Sequence, residues 1–351
     1  MSIDTAKRAQ LLHWLQIAIE LELAIIPPYL TALLSIKPAS NRAAAEIIRS
    51  VVMEEMLHMA LVANVVSSVG GTVQLTQDSL PPYPFTLNFE GKTFEDRKFP
   101  VDLAPFSEAT IEIFIKIEQP SQRKLEALGF NKGELKVPAL TIGDFYAGIV
   151  ALLEELDAAA PGALFVGDPT RQIGVDYYWS AGGKPVIVTG MTSAKRALEI
   201  VMHQGEGAPA SLNDGDVTHF GQPFEVAHYF RFLEVRHGRR YLSTDLPTET
   251  PSGPTIEVDY AEAYPILVNA KSANYAAGSQ LATLNDSFNR HYTQMLLQLQ
   301  EALNGNPKVL YTAIMNGMHN LSPIARQMMA MPIDGDAQGR HGCPSFEWQE
   351  V

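Results

Sequence analysis

The chain is expected to be mainly α: a four-helix bundle with a long insertion between its second and third helices and additional helices at the C-terminal end. Three observations lead there. Apolar residues recur at three- and four-residue steps over long stretches, the period of a helix with one buried face. Glutamates and histidines interrupt those stretches at matched places. Between residues 71 and 188 the pattern switches to proline, glycine and short alternation.

The first helix is expected over residues 8–35, where Leu12, Leu15, Ile19, Glu22, Ile26 and Tyr29 share one face. Pro27-Pro28 should kink it after Ile26, because two backbone donors are missing there. The second helix should run from about Asn41 to Val69 and stop at Gly70-Gly71. The insertion follows. It has loop and at most short strands to about Pro105, helices near Ser107–Glu118 and Thr141–Ala159, and a loop or hairpin over 161–188. The third bundle helix should begin near Thr192 and end at QGEGAP. The fourth should begin after Pro223 and stop at Gly238. Residues 1–240 therefore read as the bundle with its insertion, and 241–351 as a linker, two helices (about 277–304 and 307–330) and a partly ordered tail.

Composition narrows the function. Hydrophobic residues make up 46% and charged residues 19%, ample for a buried core. A net charge of −13 disfavours nucleic acid and anionic membrane as partners. The single cysteine, Cys343, excludes a disulfide framework and a cysteine-based cluster. The apolar stretch Leu11–Ile36 is broken by His13, Glu20, Glu22 and the two prolines, so a cytoplasmic protein without a membrane span is the expectation.

The interruptions carry the chemistry. Residues three apart on a helix lie about 60° apart and one turn along, so both can reach one ion. With nine histidines, about 0.6 Glu-x-x-His pairs are expected by chance. The chain has three: Glu55/His58, Glu225/His228 and Glu234/His237. The last two lie nine residues apart and point about 180° from each other, so they cannot serve one site. Proximity to Glu206, at the end of the third helix, favours Glu225/His228. Glu22, on the apolar face of the first helix, is preferred over Glu20. Glu54 is expected either to back a metal ligand from behind or to be an interhelical partner. One carboxylate from each of two helices and a Glu-x-x-His pair from each of two others form the ligand set of a di-iron or di-manganese bundle. Four uncompensated buried carboxylates would be prohibitively costly without cations. The expected metal ligands are thus Glu22, Glu55, His58, Glu206, Glu225 and His228.

The runs LQIAIELELAIIPPYLTALLSI, EEMLHMALVANVVSSVGG, HQGEG and HYFRFLEV resemble the ferritin-like domain of the iminophenyl-pyruvate dimer synthases of bisindole pigment biosynthesis. The likeness covers roughly residues 8–240. It implies a ferritin-like four-helix bundle, the same six ligands by position, and Tyr29 as a tyrosine beside the metals. Those synthases are much longer than this chain.

The expected activity is that of a non-haem di-metal oxidoreductase holding two iron ions, or manganese. It would act on a small, aromatic-leaning organic substrate with O2 or peroxide, and oxidative imine coupling is the chemistry the resemblance suggests. Phe114, Phe145 and Tyr146 of the insertion should then face the metals in an apolar pocket. A non-catalytic ferritin-like iron store and a metal-free helical interaction protein are the alternatives. Homo-oligomerisation is left open.

Overall fold

The computed structural model describes residues 3–89, 98–120, 134–137, 141–178, 182–207, 211–214 and 225–350, excepting the side chains of 134–137, Glu206 and Asn316. The chain is mostly helical, and its helix ends follow local chemistry. Helix α1 (Thr5–Ser35) starts at Asp4, whose carboxylate accepts from the Ala6 and Lys7 amides at 2.9 and 3.1 Å. Helix α2 (Arg42–Ser68) ends where Gly70 takes a φ of +70°, open to glycine at little cost. In the insertion, α3 (Glu108–Ile117) is capped by Ser107 and α4 (Ile142–Ala159) by Thr141. Helices α5 (Met191–Glu206) and α6 (His228–His237) follow, the latter stopped at Gly238 with φ +62°.

Helix α1 runs without a break through Pro27 and Pro28, both buried. An interior proline costs about 3 kcal/mol, whereas fully burying one large aliphatic or aromatic side chain returns about 1.5–3 kcal/mol. Around the prolines Ile25, Tyr29, Leu33 and Leu34 are all buried, so packing outweighs the lost backbone bonds. Helices α1 and α2 are long and apolar enough to cross a membrane by length and composition alone. In each, 83% of the apolar window is covered by the rest of the chain, as befits core helices.

Helix α2 lies at the centre, against α1, α5 and α6; α4 packs on α1 and α5, and α3 on α6. The insertion also forms a three-stranded sheet. Its central β1 (Phe85–Phe89) pairs antiparallel with β2 (Lys98–Val101) and parallel with β3 (Glu134–Val137). The 161–188 segment is loop with one 3₁₀ turn at Pro169–Arg171 among its described residues. Asn64 of α2 anchors it, donating to the Ile173 and Val186 carbonyls.

The C-terminal helices are α7 (Gln280–Leu303), α8 (Val309–Thr312) and α9 (His319–Met329), with a π-helical stretch at Ala313–Met318. Leu281, Phe288, Leu296 and Met328 belong to the same continuous core as α1 and α2. The expected loose tail is instead fixed. Asn285, Asn289 and Thr293, at successive four-residue steps on α7, accept from the Ser345, Glu347 and Gln349 amides, and Cys343 and Phe346 are buried.

Candidate metal centre

Glu22 lies midway along α1, and Glu54, Glu55 and His58 midway along α2. Glu118 is the C-cap of α3 and His228 the first residue of α6. Five of these side chains converge: Glu22, Glu55, His58, Glu118 and His228 are 2%, 1%, 2%, 4% and 0% exposed. They form two sets of three, Glu22/Glu55/His58 and Glu55/Glu118/His228, with the donor atoms of each set within 4.8 Å of one another. Glu55 is common to both. Its Oε2 lies 3.0 Å from His58 Nδ1 and its Oε1 3.0 Å from His228 Nδ1. Glu22 Oε2 lies 3.5 Å from His58 Nδ1, and Glu118 Oε2 3.7 Å from His228 Nδ1. The imidazoles are stacked, with ring centroids 5.4 Å apart.

Each outer carboxylate is held from behind by a tyrosine. Tyr146 of α4 donates to Glu22 Oε1, and Tyr29 of α1 donates to Glu118 Oε1 at 2.5 Å. Burial, reinforced by the neighbouring carboxylates, pushes both phenols well above their ordinary value, so they remain donors. Tyr29 is itself fixed by the Phe114 and Phe232 rings, at centroid distances of 4.5 and 5.3 Å.

The outward nitrogens of both histidines are also engaged. His58 Nε2–H donates to Gln204 Oε1 at 3.0 Å, and His228 Nε2–H donates to Glu54 Oε2 at 2.7 Å. An acceptor on Nε2 leaves Nδ1 as the lone-pair nitrogen of a neutral ring, which is the state a metal ligand requires. Gln204 is oriented by the Gly182 carbonyl, which accepts from its Nε2. Residue 182 must be glycine for that approach, since a Cβ would lie 2.9 Å from the Met53 carbonyl oxygen.

These residues fit a pair of cations. Glu55 Oε1 and His228 Nδ1 are buried and 3.0 Å apart, yet neither makes a hydrogen bond of acceptable geometry. Buried polar atoms are rarely left so. Three carboxylates and two imidazoles, without thiolate, are donors suited to iron or manganese. Without a metal, protons take the cations' place. Burial pulls the His58 imidazolium down, but Glu55 and Glu22 overcome it and push the group up to about 10. His228 rises well above its ordinary value against the same burial cost, through Glu55, Glu118 and Glu54. Burial raises Glu55 to about 7 although both imidazoles oppose it.

Of the six ligands expected from sequence, four meet here: Glu22, Glu55, His58 and His228. Glu206 ends α5, and its side chain lies outside the described residues. Glu225 is a correction. Helix α6 begins only at His228, after an extended Ala227, so Glu225 and His228 are not one helical turn apart. Glu225 lies instead with Glu54 and Asp214 around buried Arg231, whose Nη2 is 3.4 Å from it. Arg231 also donates to Glu54 at 3.0 Å and to Asp214 at 2.8 Å. The rival pair is spent elsewhere: Glu234 binds Arg240 at 2.7 Å, and His237 is exposed.

Glu118 was missed because no histidine follows it and it lies in the insertion. A signal was present nonetheless: Ile111, Phe114 and Glu118 share the buried face of α3. Of the three insertion aromatics expected at the metals, Tyr146 touches Glu22 and Phe114 backs Tyr29. Phe145 packs at the edge of Trp14, 6.4 Å away, and against Tyr146 at 5.9 Å.

A cavity of about 600 Å³ reaches Arg231 and Glu225, and one of about 900 Å³ lies against Glu20 and Ala24. Those two residues point away from Glu22 around α1. None of the five converging residues lines either cavity.

A family model described as ferritin-like matches residues 15–237. Among curated proteins none matches significantly. Among solved structures, a ferritin-like protein from Caulobacter vibrioides is similar over 93% of this chain and 96% of its own, at 20% identity and a TM-score of 0.59. That likeness concerns the fold. The family match spans well over half the chain and covers Glu22, Glu55, His58, Glu118 and His228 alike. The chain belongs to the ferritin-like family.

Proposed function

We propose that this protein is a di-metal carboxylate oxidoreductase. It binds two iron ions, or manganese, and oxidises a small organic substrate with O2 or peroxide. The observation that carries the reading is the placement of Glu55, which turns one oxygen toward each of two otherwise separate ligand sets. Each set adds one histidine Nδ1 and one outer glutamate. The chemistry such a pair supplies when bound is electron transfer from substrate to the oxidant.

The protein's own residues perform the rest. Glu22, Glu118, His58 and His228 fix the ligand directions. Tyr146 and Tyr29 hold protons on the phenol oxygens facing the outer carboxylates. The surrounding core excludes bulk water, which strengthens every charge interaction in the site.

An organic substrate is favoured over iron storage because the insertion contributes residues to the site. Glu118 and Tyr146 both come from the insertion, an addition that storage would not need. The resemblance to iminophenyl-pyruvate dimer synthases supports an aromatic imine as substrate. Coupling two such molecules through a new bond removes two hydrogens, which O2 takes up as hydrogen peroxide.

The test is anaerobic loading with Fe(II), metal analysis, and O2 uptake with and without aromatic imines. About two ions per chain and substrate-dependent O2 uptake are expected. Continued iron accumulation far beyond two per chain, without substrate dependence, would identify a store. Fewer than about 0.2 ions per chain would reject a metal role.

A further inference from the structure

Among the described residues the two ligand sets match closely. Each has one Glu55 oxygen, one histidine Nδ1 and one outer glutamate whose second oxygen is held by a tyrosine. They differ in what stands behind the histidine. His58 donates to the neutral amide oxygen of Gln204 at 3.0 Å, and His228 to the Glu54 carboxylate at 2.7 Å. An anionic acceptor on the far nitrogen makes an imidazole a more basic ligand than a neutral amide does. Arg231 offsets part of the Glu54 charge, but it also donates to Asp214 at 2.8 Å, so among the described residues Glu54 shares it. His228 is thus backed by a carboxylate and His58 by an amide.

We infer that the two metal positions are unequal: the Glu55/Glu118/His228 position binds its ion first and more tightly because Glu54 backs His228. Gln204 is the positioning residue of the weaker position. Its amide is locked between the Gly182 carbonyl and His58, so it sets the His58 ring without adding charge. The inference rests on the di-metal reading and adds an order of loading to it.

The test is anaerobic titration of Co(II) into the metal-free full-length chain, followed through the visible cobalt bands. Two successive steps with Kd values at least about tenfold apart are expected. Gln204→Glu puts a carboxylate behind His58, and should tighten the second step about tenfold while leaving the first in place. Glu54→Gln should weaken the first step about 10–100-fold, and supplies an independent arm if the other variant does not fold. Equal affinities for both ions in the wild-type protein, or a Gln204→Glu effect confined to the first step, would overturn the inference. Binding of no Co(II) at all would reject the di-metal reading itself, a different result from equal binding.

Discussion

Glu55 Oε1 and His228 Nδ1 stand 3.0 Å apart at the heart of the protein, and neither completes a hydrogen bond. With the opposite oxygen of Glu55 equally near His58, one carboxylate joins α1, α2, α3 and α6 at a single point. Glu55→Gln keeps the shape and removes the charge. It should reduce bound metal from about two ions per chain to a small fraction of one while the metal-free protein still folds. Metal analysis beside a circular-dichroism melt checks both halves of that expectation.

The third-dimension assignment of Glu118 in place of Glu225 gives a paired comparison. Glu118→Gln should lower metal affinity about 10–100-fold, whereas Glu225→Gln, which alters only the surroundings of Arg231, should change it little. Likewise His228→Ala should abolish loading and His237→Ala should leave it intact. Competition with a chromophoric chelator measures all four, and a dominant effect of Glu225 would refute the assignment.

Stability of the metal-free protein should fall as pH rises. His58 has an ordinary value of 6.5 and is pushed up to about 10 in the folded chain, after burial has been overcome by Glu55 and Glu22. Glu55 rises from 4.5 to about 7. In both cases the folded state binds more protons than the unfolded one, so their stabilisation is complete at low pH and lost through these windows. Urea midpoints should therefore decline from about pH 4.5, where the Glu55 window opens, to about pH 10, where that of His58 closes. Metal binding displaces the same protons and tightens with pH, so the gap between loaded and metal-free midpoints should widen. A flat metal-free profile would count against the proton-filled cluster.

Tyr29→Phe removes the donor to Glu118 Oε1 and leaves that buried oxygen without its partner. The expected cost is about 1.5–3 kcal/mol of stability, as for other hydrogen bonds to charged groups. Weaker metal binding should accompany it. Denaturant curves on loaded and metal-free protein would separate the two effects.

Asn285→Ala tests the C-terminal strap. Asn285 accepts from the Ser345 amide at 3.0 Å and donates to Ser345 Oγ at 3.0 Å. Losing it should cost about 1–3 kcal/mol and make residues 343–350 susceptible to proteolysis. Unchanged resistance would show that Asn289 and Thr293 hold the strap without it.

Helix identity was readable because its causes are local. Asp4, Ser107 and Thr141 cap the helices that follow them, Gly70 and Gly238 end helices with positive φ, and the apolar period fixes the buried faces. Glu22, Glu55 and His58 were readable for the same reason: burial of charge on an apolar helical face is visible in the one-dimensional pattern. The anchoring of the tail by α7 was not readable, since it depends on side chains distant in the chain. The ligand set divides along the same line. Sequence determined that carboxylates and histidines would be buried together. Tertiary structure decided that Glu118 of the insertion, and not Glu225, converges with them. A spacing of three residues specifies a shared face only within one helix, and α6 begins too late to include Glu225. The backing of His58 by Gln204 and of His228 by Glu54 likewise arises where separate helices meet, 146 and 174 residues apart in the chain.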